Sequence, residues 1–399
     1  MPISFFSKAL SKVAANITGF MSNRLALAVG LTFAVDSTMF GSWVTHIPRV
    51  KTQLGLNDAE LGLALFGMPI GLLVMNPLSA TLIGRFGLAR TTVWATVLTA
   101  VAFALPAWMP GRWSLMFALA VVGMHGALLN VAMNTCATNL ENREKIFIMS
   151  SCHGMWSLGG MVGSGVSALV IAQGIGPKVH LTTLGLLLAV FALLVLRPRI
   201  YAIPGSHQTG GTGGGLRLAM PNRDLLQMIF VGFCAHLGEG VAFDWSAVYL
   251  RDALGAPEQI AALAFTCFSL TMMAMRFVGD VLIPRFGERN LLLAGALFTA
   301  FALLVSMLAT GPAVGIVGFL CLGAGVALGA PILYNAASRL PGMAPGAGLA
   351  TFATFSFIGF LAGPPLIGFV GEAFGLRTGL GLVAVLSLVS FWAIRSLKL

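Results

Sequence analysis

Charge is scarce in this sequence. Only 9% of its 399 residues are Asp, Glu, Lys or Arg, against about 25% in ordinary soluble domains. So few charges cannot cover the surface of a soluble domain of this length, which excludes that class. Cysteine offers no framework either. Cys136, Cys152, Cys234, Cys267 and Cys321 all lie in apolar segments, with no close Cys-x-x-Cys pair, so neither a disulfide scaffold nor a zinc site is predicted. His125 and His153 lack metal-ligand spacing to other His, Asp or Glu residues. No metal and no other cofactor is expected. The first 23 residues hold Lys8 and Lys12 but no apolar core followed by a cleavage site, which argues against a cleaved signal peptide. Phe5, Phe6, Leu10 and Val13 fit a short amphipathic piece lying in a membrane interface. No Gly-x4-Gly-Lys-Ser/Thr loop occurs, so ATP hydrolysis is not expected to supply energy.

Apolar residues are abundant. They make up 57% of the chain, in runs long enough to cross a hydrocarbon core of about 30 Å at 1.5 Å per residue. Twelve spans are predicted, near 24–46, 59–83, 91–109, 113–138, 146–173, 179–197, 225–250, 258–283, 290–310, 313–338, 347–372 and 378–396. The runs are too long and too uniformly apolar for the alternation of a membrane barrel, so they read as helices. The expected class is an all-α membrane protein. The 49 glycines fit it, because small residues let helices approach closely in lipid.

The formal charge of +10 reads as orientation rather than as a nucleic-acid footprint. With the N-terminus inside, 16 Lys and Arg fall on inner segments, six on outer loops, and Arg276 alone inside a span. Both termini are therefore expected in the cytoplasm. The expected organisation is a cytoplasmic segment 1–23, a six-helix half 24–197, a linker 198–222 and a second six-helix half 223–399. The linker contains "GSHQTGGTGGG", a flexible stretch with no packing capacity.

The two halves repeat each other. Arg85-Phe86-Gly87 in "LIGRFGLAR" returns as Arg285-Phe286-Gly287 in "LIPRFGER", 200 positions on. At the same offset Gly123, Ala127 and Leu128 meet Gly323, Ala327 and Leu328. Gly159 and Gly163 meet Gly359 and Gly363, and Leu54-Gly55 meets Leu254-Gly255. Trp43-x5-Arg49 matches Trp245-x5-Arg251 with a slip of two residues. Anchors at equivalent topological places point to duplication. Two parallel six-helix halves form a transporter architecture, with the solute site between them near the bilayer midplane.

On these features the chain resembles the major facilitator superfamily over essentially its whole length. "ATLIGRFGLAR" looks like the family's loop signature, roughly Gly-x-x-x-Asp-Arg-x-Gly-x-Arg, matched at Arg85, Gly87 and Arg90. Ala80 replaces its first Gly and Gly84 its Asp, while Pro284 takes the Asp place in the second copy. The resemblance therefore implies a gate charge network rearranged around Arg85, Arg90 and Arg285. "SWVTHIPRVKTQLGLNDAELG" and "HGMWSLGG" resemble a bacterial branch of sugar-permease-like and uncharacterised members. That likeness implies an inner-membrane carrier. Similarity to the fucose-permease branch implies a role for an Asp in the first span, which is Asp36. That branch has a Glu in the fourth span where this chain has Asn130.

Acids in mid-span cost about 2.5–3.5 kcal/mol on insertion scales and are candidates for function. Asp36 and Glu239 lie seven and six residues before Trp43 and Trp245, near-equivalents in the two halves. A carboxyl in a dry cavity can exchange protons near neutrality, so this pair is expected to couple transport to protons. Asp244 is equally well explained as an interfacial cap or as part of the pathway. Arg276 and Asp280, spaced i, i+4, are expected to pair as a structural or gating contact. Trp43, Asn130, Asn134, His153, Trp156, His236, Tyr334 and Asn335 are the candidate solute contacts. Together they offer amide, imidazole, indole and phenol groups to a small polar or amphipathic solute. Two prolines in "GFLAGPPLIG" are expected to kink the eleventh span.

The expected function is a proton-coupled secondary carrier, a symporter, acting as a monomer with a small solute, protons and the lipid bilayer as its partners. An uncoupled facilitator and a drug or metabolite efflux antiporter are the alternatives. Span five reads "GGMVGSG" without the proline of the family's antiporter signature, which disfavours the second. An intramembrane enzyme would want a Ser-His dyad, facing Asp residues or a zinc motif. Ser151 and His153 fall on different helix faces, and no zinc motif appears. A sensor would want a soluble output domain.

Overall fold

The computed structural model describes residues 18–203, 220–340 and 347–397. The side chains of Asp280, Ala347 and Ala350 are not among those described. The amphipathic reading of 1–17 and the Gly-rich part of the linker also lie outside the described residues. Twelve helices are long and apolar enough to span a membrane: α1 (Arg24–Gln53), α2 (Asp58–Phe86), α3 (Leu88–Trp108), α4 (Arg112–Glu144), α5 (Met149–Ala172), α6 (Pro177–Tyr201), α7 (Arg223–Asp252), α8 (Glu258–Gly279), α9 (Glu288–Met307), α10 (Pro312–Ser338), α11 (Thr351–Phe374) and α12 (Leu376–Ser396). No strand occurs among the described residues.

Local chemistry sets the helix ends. Asn23 accepts from the backbone N–H groups of Leu25 and Ala26 at the start of α1, and Asn222 caps α7 in the same manner. Asn57 and Glu60 form a reciprocal capping box on α2, satisfying two backbone donors that a helix start leaves open. Helix α1 continues through Pro48 to Gln53, past the expected end at 46. Helix α11 breaks at Phe357, whereas Pro364 and Pro365 sit inside its regular part. The expected proline kink is thus displaced toward the start of the helix.

The repeat is visible in atomic detail. Gly87 ends α2, and Gly287 ends the helix Leu263–Phe286 that continues α8, with φ of 83° and 79°, a region that side-chain-bearing residues avoid. Beside them, Arg85 lies over the Phe86 ring and Arg285 over the Phe286 ring, at 5.5 and 5.2 Å. A Cβ at Gly123 would come within 2.0 Å of the Met68 carbonyl oxygen, and one at Gly323 within 2.2 Å of that of Phe268. Both halves therefore need glycine at the same close helix crossing.

Each half is a six-helix bundle. The halves meet where α2 packs on α11 and α5 on α8. One end of the molecule, here the tail end, carries the starts of α1 and α7 and the two Arg-Phe-Gly turns. The opposite, far end carries the α1–α2 and α7–α8 turns. Among the described residues, the ion pairs that cross between the halves lie at the far end. Lys51 Nζ reaches Asp58 at 2.5 Å within its own half and Asp252 of the other half at 2.7 Å. Arg251 donates to the Pro48 carbonyl and to Thr52 Oγ1. Arg49 pairs with Glu258 at 3.7 Å, and the Asp58 N–H donates to Glu372 at 3.1 Å. Among the described residues, the tail-end contacts Asn23–Glu144 and Arg339–Glu288 each stay within one half.

Candidate functional site

A cavity of about 390 Å³ lies between the halves, lined by residues of α1 to α5, α7, α8 and α11. That is within the size range of small-molecule sites. Of the residues singled out from sequence, Asp36, Trp43, Asn130, His153, Trp156, His236, Glu239 and Arg276 line it.

Asp36 stands in the middle of α1. Its Oδ2 accepts from the Trp156 indole Nε1–H at 3.1 Å, and no cation approaches it among the described residues. His153 packs edge-on against Phe33 at 5.4 Å. His236 donates through Nδ1 to the Gly232 carbonyl at 2.8 Å and lies 4.8 Å from the Phe360 ring. Trp43 is almost fully buried in the cavity wall.

Among the described residues, Arg276 pairs with Glu239, at 3.2 Å from Nη2. Its Nη1 also reaches Ser157 Oγ on α5 at 3.5 Å, so the guanidinium touches both halves. The expected pairing with Asp280 falls on a side chain outside the described residues. The contact with Glu239 matters because that carboxylate left unpaired in the interior would cost several kcal/mol.

Three candidates do not reach the cavity. Asn134 turns back along α4, donating to the Asn130 carbonyl at 2.8 Å. Tyr334 packs edge-on against Phe352 at 5.1 Å. The Asn335 carbonyl accepts from Ser338 and Arg339 at the end of α10. Arg85, Arg90 and Arg285 lie at the tail end, where Arg85 and Arg90 are exposed. In this conformation the ion pairs described across the halves are at the other end.

Asp244, explained from sequence equally as an interfacial cap or as part of the pathway, lines the cavity, and no side-chain partner is described for it. It sits in a π-turn, Val241–Trp245. Such wide turns within helices are frequent at functional sites. Helix α7 holds three more residues between its cap Asn222 and Trp245 than α1 holds between Asn23 and Trp43. The two-residue slip of the tryptophans against the general offset was the sequence trace of this local change. Phe243, in the same turn, is the hub of an aromatic cluster. Its ring lies 5.1 Å from Phe40, 6.0 Å from Trp156 and 5.8 Å from Phe360.

Among the described residues no group of three His, Cys, Asp or Glu side chains is placed to hold a metal. Buried His46 and His180 contact each other at 2.8 Å, between α1 and α6.

The sequence profile described as Major Facilitator Superfamily matches residues 25–226 and 228–398. The chain belongs to the major facilitator superfamily. An uncharacterized MFS-type transporter of Yersinia pestis is 29% identical over 358 residues, spanning 90% of this chain and 92% of its own. The solved nucleoside transporter NupG superposes with a TM-score of 0.73 at 14% identity, covering 94% of this chain and 100% of that one. A D-xylose-proton symporter superposes at 0.69 with 15% identity, covering 92% and 97%. At such identities these two structures share the superfamily fold with it. This family and its structural neighbours are transporters.

Proposed function

We propose that the protein is a proton-coupled symporter of a small solute in the bacterial inner membrane, working as a monomer with its tail end in the cytoplasm. The observation that carries this reading is Asp36, a carboxyl in mid-helix that faces the cavity with an indole N–H as its described partner. The excess of Lys and Arg on tail-end segments supports the orientation, and the latched far end then corresponds to a state open to the cytoplasm.

A route for coupling runs through adjacent contacts. Protonation of Asp36 weakens the charge-assisted bond from Trp156. Trp156 neighbours Ser157 on α5, and Ser157 meets Arg276 of the other half, which holds Glu239. A proton on Asp36 thus acts on a contact that spans the two halves. Asp36 is the proton site in this scheme, and Glu239 is the anchor of the arginine.

The test begins with a thermal-stability screen of purified protein against sugars, polyols, organic acids and amines, since a ligand of the folded state raises apparent stability. Hits go into proteoliposomes. Wild type is expected to accumulate the solute several-fold above equilibrium when the outside is acidic. Asp36→Asn is expected to lose at least about tenfold of that accumulation rate while keeping solute counterflow. Accumulation by Asp36→Asn equal to wild type would contradict the coupling role and leave an uncoupled facilitator.

A further inference from the structure

We propose that the solute is a monovalent organic cation with an apolar body, its charge held at Asp244 against the aromatic wall. The inference rests on the transporter reading above and adds the chemical class of its cargo.

The cavity has an uneven charge inventory. Among the described residues, Asp36, Glu239 and Asp244 line it, against Arg276 alone among Lys and Arg. Arg276 is engaged by Glu239. Asp36 is engaged by Trp156 and is reserved for the proton. Asp244 is left with no described partner. A carboxylate in a largely apolar chamber is costly unless a positive charge meets it. The scaffold does not explain its presence. Trp43 and Trp245 align the two halves here, and the position beside Trp43 is Ser42, which is buried and donates to the Gly163 carbonyl at 3.2 Å. Helix packing at this place therefore works with a serine, and the second half carries an acid inside a π-turn instead.

The surrounding wall fits a cation as well. Phe40, Phe243, Phe360 and Trp156 form a connected set of rings with centroids about 5–6 Å apart. Aromatic faces attract cations, most strongly where water is excluded. A neutral sugar would want several hydrogen-bonding groups along the wall. Of the amide side chains considered for that role, Asn130 lines the cavity and Asn134 does not. A volume near 390 Å³ admits a molecule of one or two rings.

The test uses permanent cations, which carry no titratable proton of their own. Tetramethylammonium, benzyltrimethylammonium and (4-tert-butylbenzyl)trimethylammonium are compared with neutral 4-tert-butylbenzyl alcohol and with benzenesulfonate, by calorimetry and thermal shift on the purified full chain. At least one cation is expected to bind wild type, with the neutral and anionic probes at least tenfold weaker. Asp244→Asn is expected to weaken the cation at least tenfold, and Asp244→Glu, which keeps the charge, to retain most of the binding. Binding by none of the cations would overturn the proposal. So would a neutral probe that binds as well as a cation, or cation binding equal in wild type and a monodisperse Asp244→Asn. Flux of the bound cation with and without a pH gradient reads the coupling separately. Binding that follows Asp244 with flux indifferent to the gradient keeps the cation site and removes the coupling.

Discussion

Replacing Gly62 with leucine is expected to hold the far end of the bundle open and to cut solute flux at least about tenfold. Gly62 of α2 meets α11 backbone to backbone. A Cβ there would lie 2.5 Å from the Pro364 carbonyl oxygen and 3.2 Å from the Gly368 Cα. Neither atom is the end of a flexible side chain, so accommodation requires the helices, and with them the halves, to part. The far-end latch of Lys51, Asp252 and Arg251 spans the same gap and is expected to be lost with it. The fold itself should survive, because this contact is made between halves rather than within one. Gly71→Leu is the contrasting control. Its Cβ would lie 2.0 Å from the Ala120 carbonyl oxygen, inside the first half, and that variant is expected to misfold. Thiol labelling of a cavity-facing cysteine in a cysteine-free background, combined with gel filtration, separates the two cases. Rapid labelling from the far side in folded Gly62→Leu is the expected result, and labelling as slow as in the parent protein is the contrary one.

The second large effect concerns Arg276. Truncating one member of a buried ion pair leaves the other charge uncompensated and typically costs about 3–5 kcal/mol. Arg276→Ala strands Glu239, which is 6% exposed. A clear fall in the apparent melting temperature is expected in detergent. Removing both charges together, in Glu239→Gln with Arg276→Gln, is expected to restore much of it, since replacement of a whole buried pair is often close to neutral. The restored protein should still transport poorly, because the bridge from Ser157 to the second half is gone. Full activity in the stable double variant would remove Arg276 from the coupling route.

The architecture was legible in the sequence for a simple reason. A span must be apolar along about 20 residues, so composition alone marks it. Duplication was legible because close crossings tolerate only glycine, and the same crossing recurs at Gly123 and Gly323. Asp36 was legible because an acid in mid-span is costly wherever it occurs. What was hidden depends on helix rotation and on contacts between distant segments. The π-turn of α7 changes which residues face inward, so helical period alone could not choose between the two readings of Asp244. The contact of Arg276 with Glu239 joins α8 to α7, which no spacing within one helix announces. The latch of Lys51 and Asp252 joins positions far apart in sequence, and no local pattern announces it. Tyr334 and Asn335 follow the break of α10 at Ala327 and Leu328, which periodicity across the whole span ignores.

The account rests on two halves that rock about the cavity, with Asp36 setting the balance. The most direct measurement needs no identified solute. Spin labels at Gln53 and Gly255 report the separation of the halves at the far end, and labels at Phe86 and Phe286 report it at the tail end. Distances are recorded in lipid nanodiscs between about pH 5 and pH 9, the range in which a desolvated carboxyl titrates. The account predicts two populations whose far-end and tail-end distances change in opposite senses, with the balance shifting across that range in the wild type and pH-independent in Asp36→Asn. A single distance at each end under all conditions, or a pH shift that persists in Asp36→Asn, would contradict it.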